Sequence, residues 1–91
     1  MNDIAVLPAI NVARLNITYN GQQGELPDML SFDTRDEDIR RIATEALQQG
    51  IPGITADPRA DLTDFVIDRF PARDDVPVNR LSVRPKTPFG R

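Results

Sequence analysis

The sequence predicts an α+β fold in which a hairpin, one helix and two further strands share a single hydrophobic core. Apolar and polar residues alternate over residues 13–19, which is the period of a half-buried strand. Apolar residues recur at helical spacing over residues 39–47, and alternation returns over residues 79–84. With 91 residues, the chain has room for one small domain.

The first strand and the segment after it are predicted to form the hairpin. Three residues tolerate positive φ and should reverse the chain: Asn20, Gly21 and Gly24. The chain then returns over residues 25–32, with Leu30 and Phe32 on one face. Pro27 restricts the early part of this return to a sheet edge or an irregular stretch.

A helix is predicted over residues 36–49. Thr34 and Glu37 have the spacing of a capping box, in which two side chains satisfy unpaired backbone N–H groups. The first turn carries three acidic residues, which the helix dipole favours: Asp36, Glu37 and Asp38. Gly50 and Pro52 should end the helix. One apolar stripe faces the sheet: Ile39, Ile42, Ala43, Ala46 and Leu47.

The second half of the chain supplies two more strands. Residues 51–61 are rich in turn formers and should wrap the edge of the core. A third strand is expected over residues 64–70, followed by a charged loop over residues 71–77. The final strand, residues 79–84, leads directly into the tail.

Composition excludes several classes of function. The chain has no cysteine and no histidine, so it offers no thiolate chemistry, no Ser-His triad and no usual zinc site. We therefore expect a protein that is not an enzyme and holds no cofactor or metal. The net charge of -3 is not that of a nucleic-acid binder. No apolar run reaches membrane-spanning length, and Pro8 interrupts the apolar N-terminal residues, so a cytoplasmic location without membrane association is expected.

The last seven residues are poorly suited to pack against the folded domain. Pro85 and Pro88 fix φ and lack backbone donors, which favours an extended conformation for the residues before them. Gly90 adds conformational freedom. We therefore divide the chain into a flexible N-terminal arm (residues 1–10), a folded domain (residues 11–84) and an extended tail (residues 85–91) that another protein could thread.

The order of hairpin, helix, strand, final strand and glycine-containing tail resembles the β-grasp of ubiquitin-like proteins. The resemblance covers roughly residues 12–90. More narrowly, the chain resembles the bacterial ubiquitin-like modifiers that are encoded beside E1-like, E2-like and peptidase proteins. That resemblance implies a monomeric protein modifier whose partners are an E1-like adenylating enzyme, an E2-like protein, a processing peptidase and target proteins.

Gly90 is the residue that the resemblance assigns to conjugation. Its carboxylate would be adenylated by the E1-like enzyme, passed to an enzyme cysteine and then joined to a target. Because Arg91 follows Gly90, a peptidase must first remove Arg91. The enzymes would recognise the rest of the tail: Arg84, Pro85, Lys86, Thr87, Pro88 and Phe89. Phe89 stands where familiar modifiers and the sulfur carriers of cofactor biosynthesis have a second glycine. A role as a protein modifier is therefore favoured over a role as a sulfur carrier.

Other interpretations of these residues stay open at the level of sequence. The main alternative is a non-catalytic β-grasp interaction domain, or adaptor, with an inert tail, which would be a frayed terminus or a vector remnant. Three arginines could form a basic patch near the tail or simply lie on solvated strand faces: Arg69, Arg80 and Arg84. Three loop acids hint at cation binding, although capping of turns accounts for them better: Asp57, Asp61 and Asp64.

Overall fold

A computed structural model describes residues 11–86, in which one helix packs with a mixed sheet of five strands. The predicted α+β fold is confirmed, and the arrangement is consistent with a β-grasp. The N-terminal arm predicted for residues 1–10 lies outside the described residues, as do residues 87–91 of the predicted tail. The elements are β1 (Val12–Tyr19), β2 (Gln22–Glu25), β3 (Leu30–Ser31), α1 (Asp36–Gln49), β4 (Val66–Phe70) and β5 (Asn79–Arg84).

The strand order of the sheet is β2-β1-β5-β4, and β3 pairs with the beginning of β1. The first and last strands lie side by side and parallel, with Leu15 opposite Leu81 and Ile17 opposite Val83. The other pairs are antiparallel. The last strand therefore lies inside the sheet, between β1 and β4, rather than at an edge.

The turn of the hairpin is formed by two residues with positive φ. Asn20 has φ 53° and Gly21 has φ 76°, and Tyr19 pairs with Gln22 across the turn. This combination is typical of a tight two-residue hairpin turn, so the prediction is confirmed for these residues. It is wrong for Gly24, which is buried within β2. A Cβ added at Gly24 would lie 2.5 Å from the carbonyl oxygen of Pro52, so the close approach of that carbonyl is what requires glycine.

The segment that returns from the hairpin is irregular around Pro27, as the sequence predicts, but it begins earlier than the predicted residue 25. Pairing with β1 starts at Gln22, and its last hydrogen bond before Pro27 runs from Leu26 N–H to the Leu15 carbonyl at 2.9 Å. It resumes at β3, and Phe32 N–H donates to the Asn11 carbonyl at 2.8 Å.

The helix begins and ends where the sequence predicts, at Asp36 and Gln49. Gly50 caps its end with φ 93°, and its N–H donates to the Ala46 carbonyl at 2.8 Å. The predicted capping box is wrong, because Arg35 occupies the N-cap position without a side-chain cap hydrogen bond. The Thr34 hydroxyl instead donates to the Ser31 carbonyl at 2.6 Å.

The core lies between α1 and the sheet, and the segment after α1 closes it. That segment wraps the edge of the core as predicted, with Ile54, Ala60 and Leu62 buried. The third predicted strand starts at Val66, two residues later than expected, because Phe65 N–H is used in a turn to the Leu62 carbonyl. The other buried apolar residues come from the strands and the helix: Ala13, Leu15, Ile17, Ile39, Ala43, Leu47, Leu81 and Val83.

Candidate functional site

The tail leaves the domain at the end of an inner strand. Arg84, the last residue of β5, is paired with Val66 of β4, and its Nε donates to the Asp68 carboxylate at 2.6 Å. Pro85 and Lys86 follow and are exposed. This geometry presents the base of the tail to solvent. The remaining predicted site residues lie outside the described residues, so their roles stay predictions: Thr87, Pro88, Phe89, Gly90 and Arg91.

Lys86 lines a shallow cleft between the first turns of α1 and the beginning of β4. The cleft has a volume of about 380 Å³. Arg40 also lines it, and its Nε donates to the Phe65 carbonyl at 3.1 Å. Arg40 is therefore half-buried, with its guanidinium held against the segment before β4. Asp36 and Asp64 supply opposite charges, so the cleft beside the tail has mixed charge.

The predicted basic patch does not form as a group of three arginines. Arg69 pairs with the buried Leu81, which places Arg69 on the helix side of the sheet. Its guanidinium donates to the carbonyls of Phe32 at 2.8 Å and Thr34 at 2.7 Å, and it pairs with Asp36 at 2.5 Å. Arg69 thus connects β4 to the segment before α1.

Arg80 and Arg84 lie on the opposite face of the sheet, which α1 leaves uncovered. We call this the open face. The Arg80 guanidinium lies over the Phe70 ring, 5.0 Å from its centroid, and Phe70 is 41% exposed. Two predicted patch members therefore share a surface, but each already has a neighbour there. The Arg80 guanidinium thus covers part of the Phe70 ring, which is not buried in the core.

Arg14 also belongs to the open face, and sequence reasoning missed it. It is the register partner of Arg80 in the parallel pair β1–β5, and it forms a 2.9 Å ion pair with Glu25 of β2. The polar positions of β1 and β5 alternate in the sequence, which was a usable signal that each strand has a solvent-facing side. Which positions meet, however, depends on a register between residues far apart in the chain.

Two of the three loop acids, Asp57 and Asp61, are occupied by hydrogen bonds within the fold, as the capping interpretation predicts for them. Asp57 Oδ1 accepts from Arg59 N–H at 3.0 Å, and Asp57 Oδ2 accepts from the Tyr19 hydroxyl at 2.5 Å. Asp61 Oδ1 accepts from the Thr63 hydroxyl at 2.6 Å and from its N–H at 3.0 Å. Within residues 11–86, no three acidic side chains are grouped closely enough to hold a metal ion.

These hydrogen bonds change the pKa values of three groups. The Tyr19 hydroxyl, which donates to Asp57, lowers the pKa of that carboxyl, and the Arg59 N–H acts in the same direction. The hydrogen bond to Asp57 in turn raises the pKa of Tyr19, and burial adds to the effect. The Thr63 hydroxyl and N–H lower the pKa of Asp61. Each shift stabilises the protonation state that the fold uses near neutral pH.

Comparison with known proteins gives no relative from which a role could be transferred. No family model matches the chain, and no curated protein or solved structure matches it significantly. Within the described part of the chain, no helix has both the length and the apolar character needed to cross a bilayer.

Proposed function

We propose that this chain is a ubiquitin-like protein modifier of the bacterial type, conjugated to target proteins through Gly90. The observation that supports the proposal best is the position of β5. It lies parallel to β1 inside the sheet and leads directly to the exposed Pro85 and Lys86. A strand anchored on both sides gives the tail a fixed point of departure, so a partner enzyme that holds the domain can receive the tail in a defined direction.

The tail composition fits the chemistry of carboxylate activation. After cleavage behind Gly90, the carboxylate of a residue without a side chain could enter a narrow channel and reach the α-phosphate of ATP. An oxygen of that carboxylate attacks the α-phosphorus and pyrophosphate leaves, which produces an acyl-adenylate. An enzyme thiolate then displaces AMP to form a thioester, and a target amine displaces the thiol to form an amide.

The protein modifier is the substrate of this sequence and not its catalyst. The chain contains no cysteine and no histidine, so the thiolate must belong to the E1-like and E2-like partners. Cleavage between Gly90 and Arg91 likewise requires a separate peptidase. The protein needs no cofactor of its own for these steps, because ATP binds to the E1-like partner.

Mass spectrometry of proteins from the native cells tests the proposal. Trypsin cuts after Lys86 but not after Arg84, which precedes a proline, so a modified target lysine would carry residues 87–90 as a four-residue remnant. We expect that remnant in wild type and not in Gly90→Glu. The matched control Lys86→Arg keeps the trypsin site and should retain the remnant. A chain that always keeps Arg91 and leaves no remnant, with its neighbouring genes expressed, would exclude the modifier.

The alternative is an interaction domain whose tail is inert. One observation favours it, namely the open face on which Phe70 is 41% exposed beside Arg80. The same experiment separates the two functions, since an adaptor would co-purify with a partner without any covalent remnant. Genes for E1-like, E2-like or metallopeptidase proteins beside this one would favour the modifier, whereas a gene for one large multidomain partner would favour the adaptor.

A further inference from the structure

The open face brings two arginines side by side. Arg14 of β1 and Arg80 of β5 are register partners, and neighbouring strands lie only about 4.8 Å apart. Both side chains point away from the core, because the residues that flank them in sequence are buried. Like charges directly opposite each other destabilise a sheet. The fold thus places two cations together without a structural benefit from their pairing.

The positive charge of this pair is only partly neutralised. Glu25 takes one nitrogen of Arg14, at 2.9 Å. The other carboxylate on this face, Asp68, is held by Arg84 at 2.6 Å. Within residues 11–86, no carboxylate lies within ion-pair distance of Arg80, whose neighbour is the Phe70 ring. One further carboxylate placed between Arg14 and Arg80 would relieve the repulsion and use the free donors of both guanidinium groups.

A hollow at this position has room for such a carboxylate. Its volume is about 210 Å³, several times the roughly 30 Å³ that one water molecule occupies in the liquid. Asn16 and Ser82, which are the next register partners on the same face, add hydrogen-bonding groups beside the arginine pair. Phe70 supplies an apolar side. The hollow therefore combines a cationic centre, polar groups and one exposed aromatic ring.

We propose that the open face docks an extended protein segment that carries a single carboxylate next to an apolar side chain. The carboxylate binds between Arg14 and Arg80, and the apolar side chain packs on Phe70. Charge complementarity selects a protein segment over a nucleic acid. Glu25 and Asp68 flank the arginines and would repel a run of phosphates, and the whole chain has a net charge of -3. This docking does not depend on conjugation through Gly90.

An NMR titration of the ¹⁵N-labelled full chain tests this docking surface. The probe is a blocked five-residue peptide with one glutamate between two leucines, and the comparison peptide has glutamine in place of glutamate. We expect the glutamate peptide to shift amides around Arg14, Arg80 and Ser82 and to bind about tenfold more tightly than the glutamine peptide, since hydrogen bonds to charged groups have roughly this effect. Gly90→Glu should bind equally well, which separates this result from the proposed modifier function.

Matched variants identify the residues that bind the peptide. Arg80→Gln should weaken binding of the glutamate peptide about tenfold. Phe70→Ser should weaken binding of both peptides. Arg41→Gln removes the same charge from the exposed side of α1, where Arg41 is near Asp38 and Glu45, and should leave binding unchanged. Amide spectra of each variant confirm that it is folded before the titration.

Several results would overturn the proposal. Equal binding of the two peptides, shifts located away from the open face, or an equal loss in Arg41→Gln would each show that the arginine pair does not select a carboxylate. Tighter binding of a single-stranded oligonucleotide or of inorganic phosphate at the same amides would assign the hollow to phosphate chemistry instead.

Discussion

The hydroxyl of Tyr19 donates a 2.5 Å hydrogen bond to Asp57, which joins the end of β1 to the loop that follows α1. The two residues are 38 positions apart in the chain. The same side of the fold holds a contact between the Tyr19 and Phe65 rings, whose centroids lie 6.0 Å apart. Tyr19 therefore connects the hairpin to two points of the segment that closes the core between α1 and β4.

The first prediction concerns pH. The folded-state pKa values of Asp57 and Asp61 are lowered, so the unfolded chain binds more protons in acid. The resulting stability is fully present above the ordinary aspartate pKa of about 3.9 and is lost as the pH falls through the lowered values. Urea unfolding followed by circular dichroism between pH 2 and 6 should show this decline.

Variants distinguish the effect of these hydrogen-bonded carboxylates from a general effect of low pH on stability. Asp57→Asn and Tyr19→Phe should each weaken the acid dependence, because each removes the hydrogen bond that lowers the pKa of Asp57. The raised pKa of Tyr19 affects stability in the opposite direction of pH. Its contribution to the free energy of unfolding is present below about pH 10 and is lost as the pH rises through the raised pKa. An unchanged acid profile in Asp57→Asn would contradict the assignment.

The second prediction concerns the close approach at Gly24. A Cβ there would meet the Pro52 carbonyl oxygen at 2.5 Å and the Ile51 and Ile54 side chains at 3.0 Å. Gly24→Ala should therefore lower the free energy of unfolding by about 1–3 kcal/mol, the usual cost of overpacking. Chemical denaturation measures it. Gln23→Ala, on the exposed side of the same strand, should change it by less than about 0.5 kcal/mol. Equal stability of the two variants would contradict the close contact.

The third prediction concerns Arg69. In Arg69→Gln, the carbonyls of Phe32 and Thr34 lose their guanidinium donors and Asp36 loses its ion pair. Because these groups are partly exposed, water replaces the lost donors in part, and we expect a loss of about 1 kcal/mol. Hydrogen exchange should accelerate in the first turn of α1. Arg73→Gln, in the charged loop, is the control, and equal exchange in both variants would show that Arg69 does not hold the helix start.

The fourth prediction follows from the proposed modifier function. Lys86 is the only lysine of the chain, so lysine-linked chains of this protein can grow only from the tail itself. We expect Lys86→Arg to leave single conjugates on targets while removing any species with two copies in series. Immunoblots of conjugates from the native cells measure this. Serial conjugates that persist in Lys86→Arg would require a different acceptor group.

The helix and the two central strands, β1 and β5, could be predicted because local sequence patterns determine them. The acidic first turn of α1 and Gly50 indicated the two helix ends, and alternation placed β5 at residues 79–84. The capping box failed because Arg35, and not Thr34, occupies the N-cap position, while the Thr34 hydroxyl donates to the Ser31 carbonyl. Gly24 was mistaken for a turn residue because a requirement for close approach and one for positive φ look identical in a single sequence.

The candidate sites were less predictable, since they depend on the register between strands. Arg69, Arg80 and Arg84 have similar sequence surroundings, yet the register of β4 and β5 sends Arg69 to the helix side and the other two to the open face. Arg14 joins Arg80 only through the parallel pairing of strands at opposite ends of the domain. No local pattern in the sequence carries that information.

The inner position of β5 also determines how the domain responds to mechanical force. A pull on the tail along the strand axis loads the hydrogen bonds to β1 and β4 in shear, so many bonds must break together rather than one after another. An edge strand would instead peel away from a single neighbour. The domain should therefore resist extraction from its C-terminal side, and a molecular machine that unfolds it from that end would have to dislodge the centre of the sheet first.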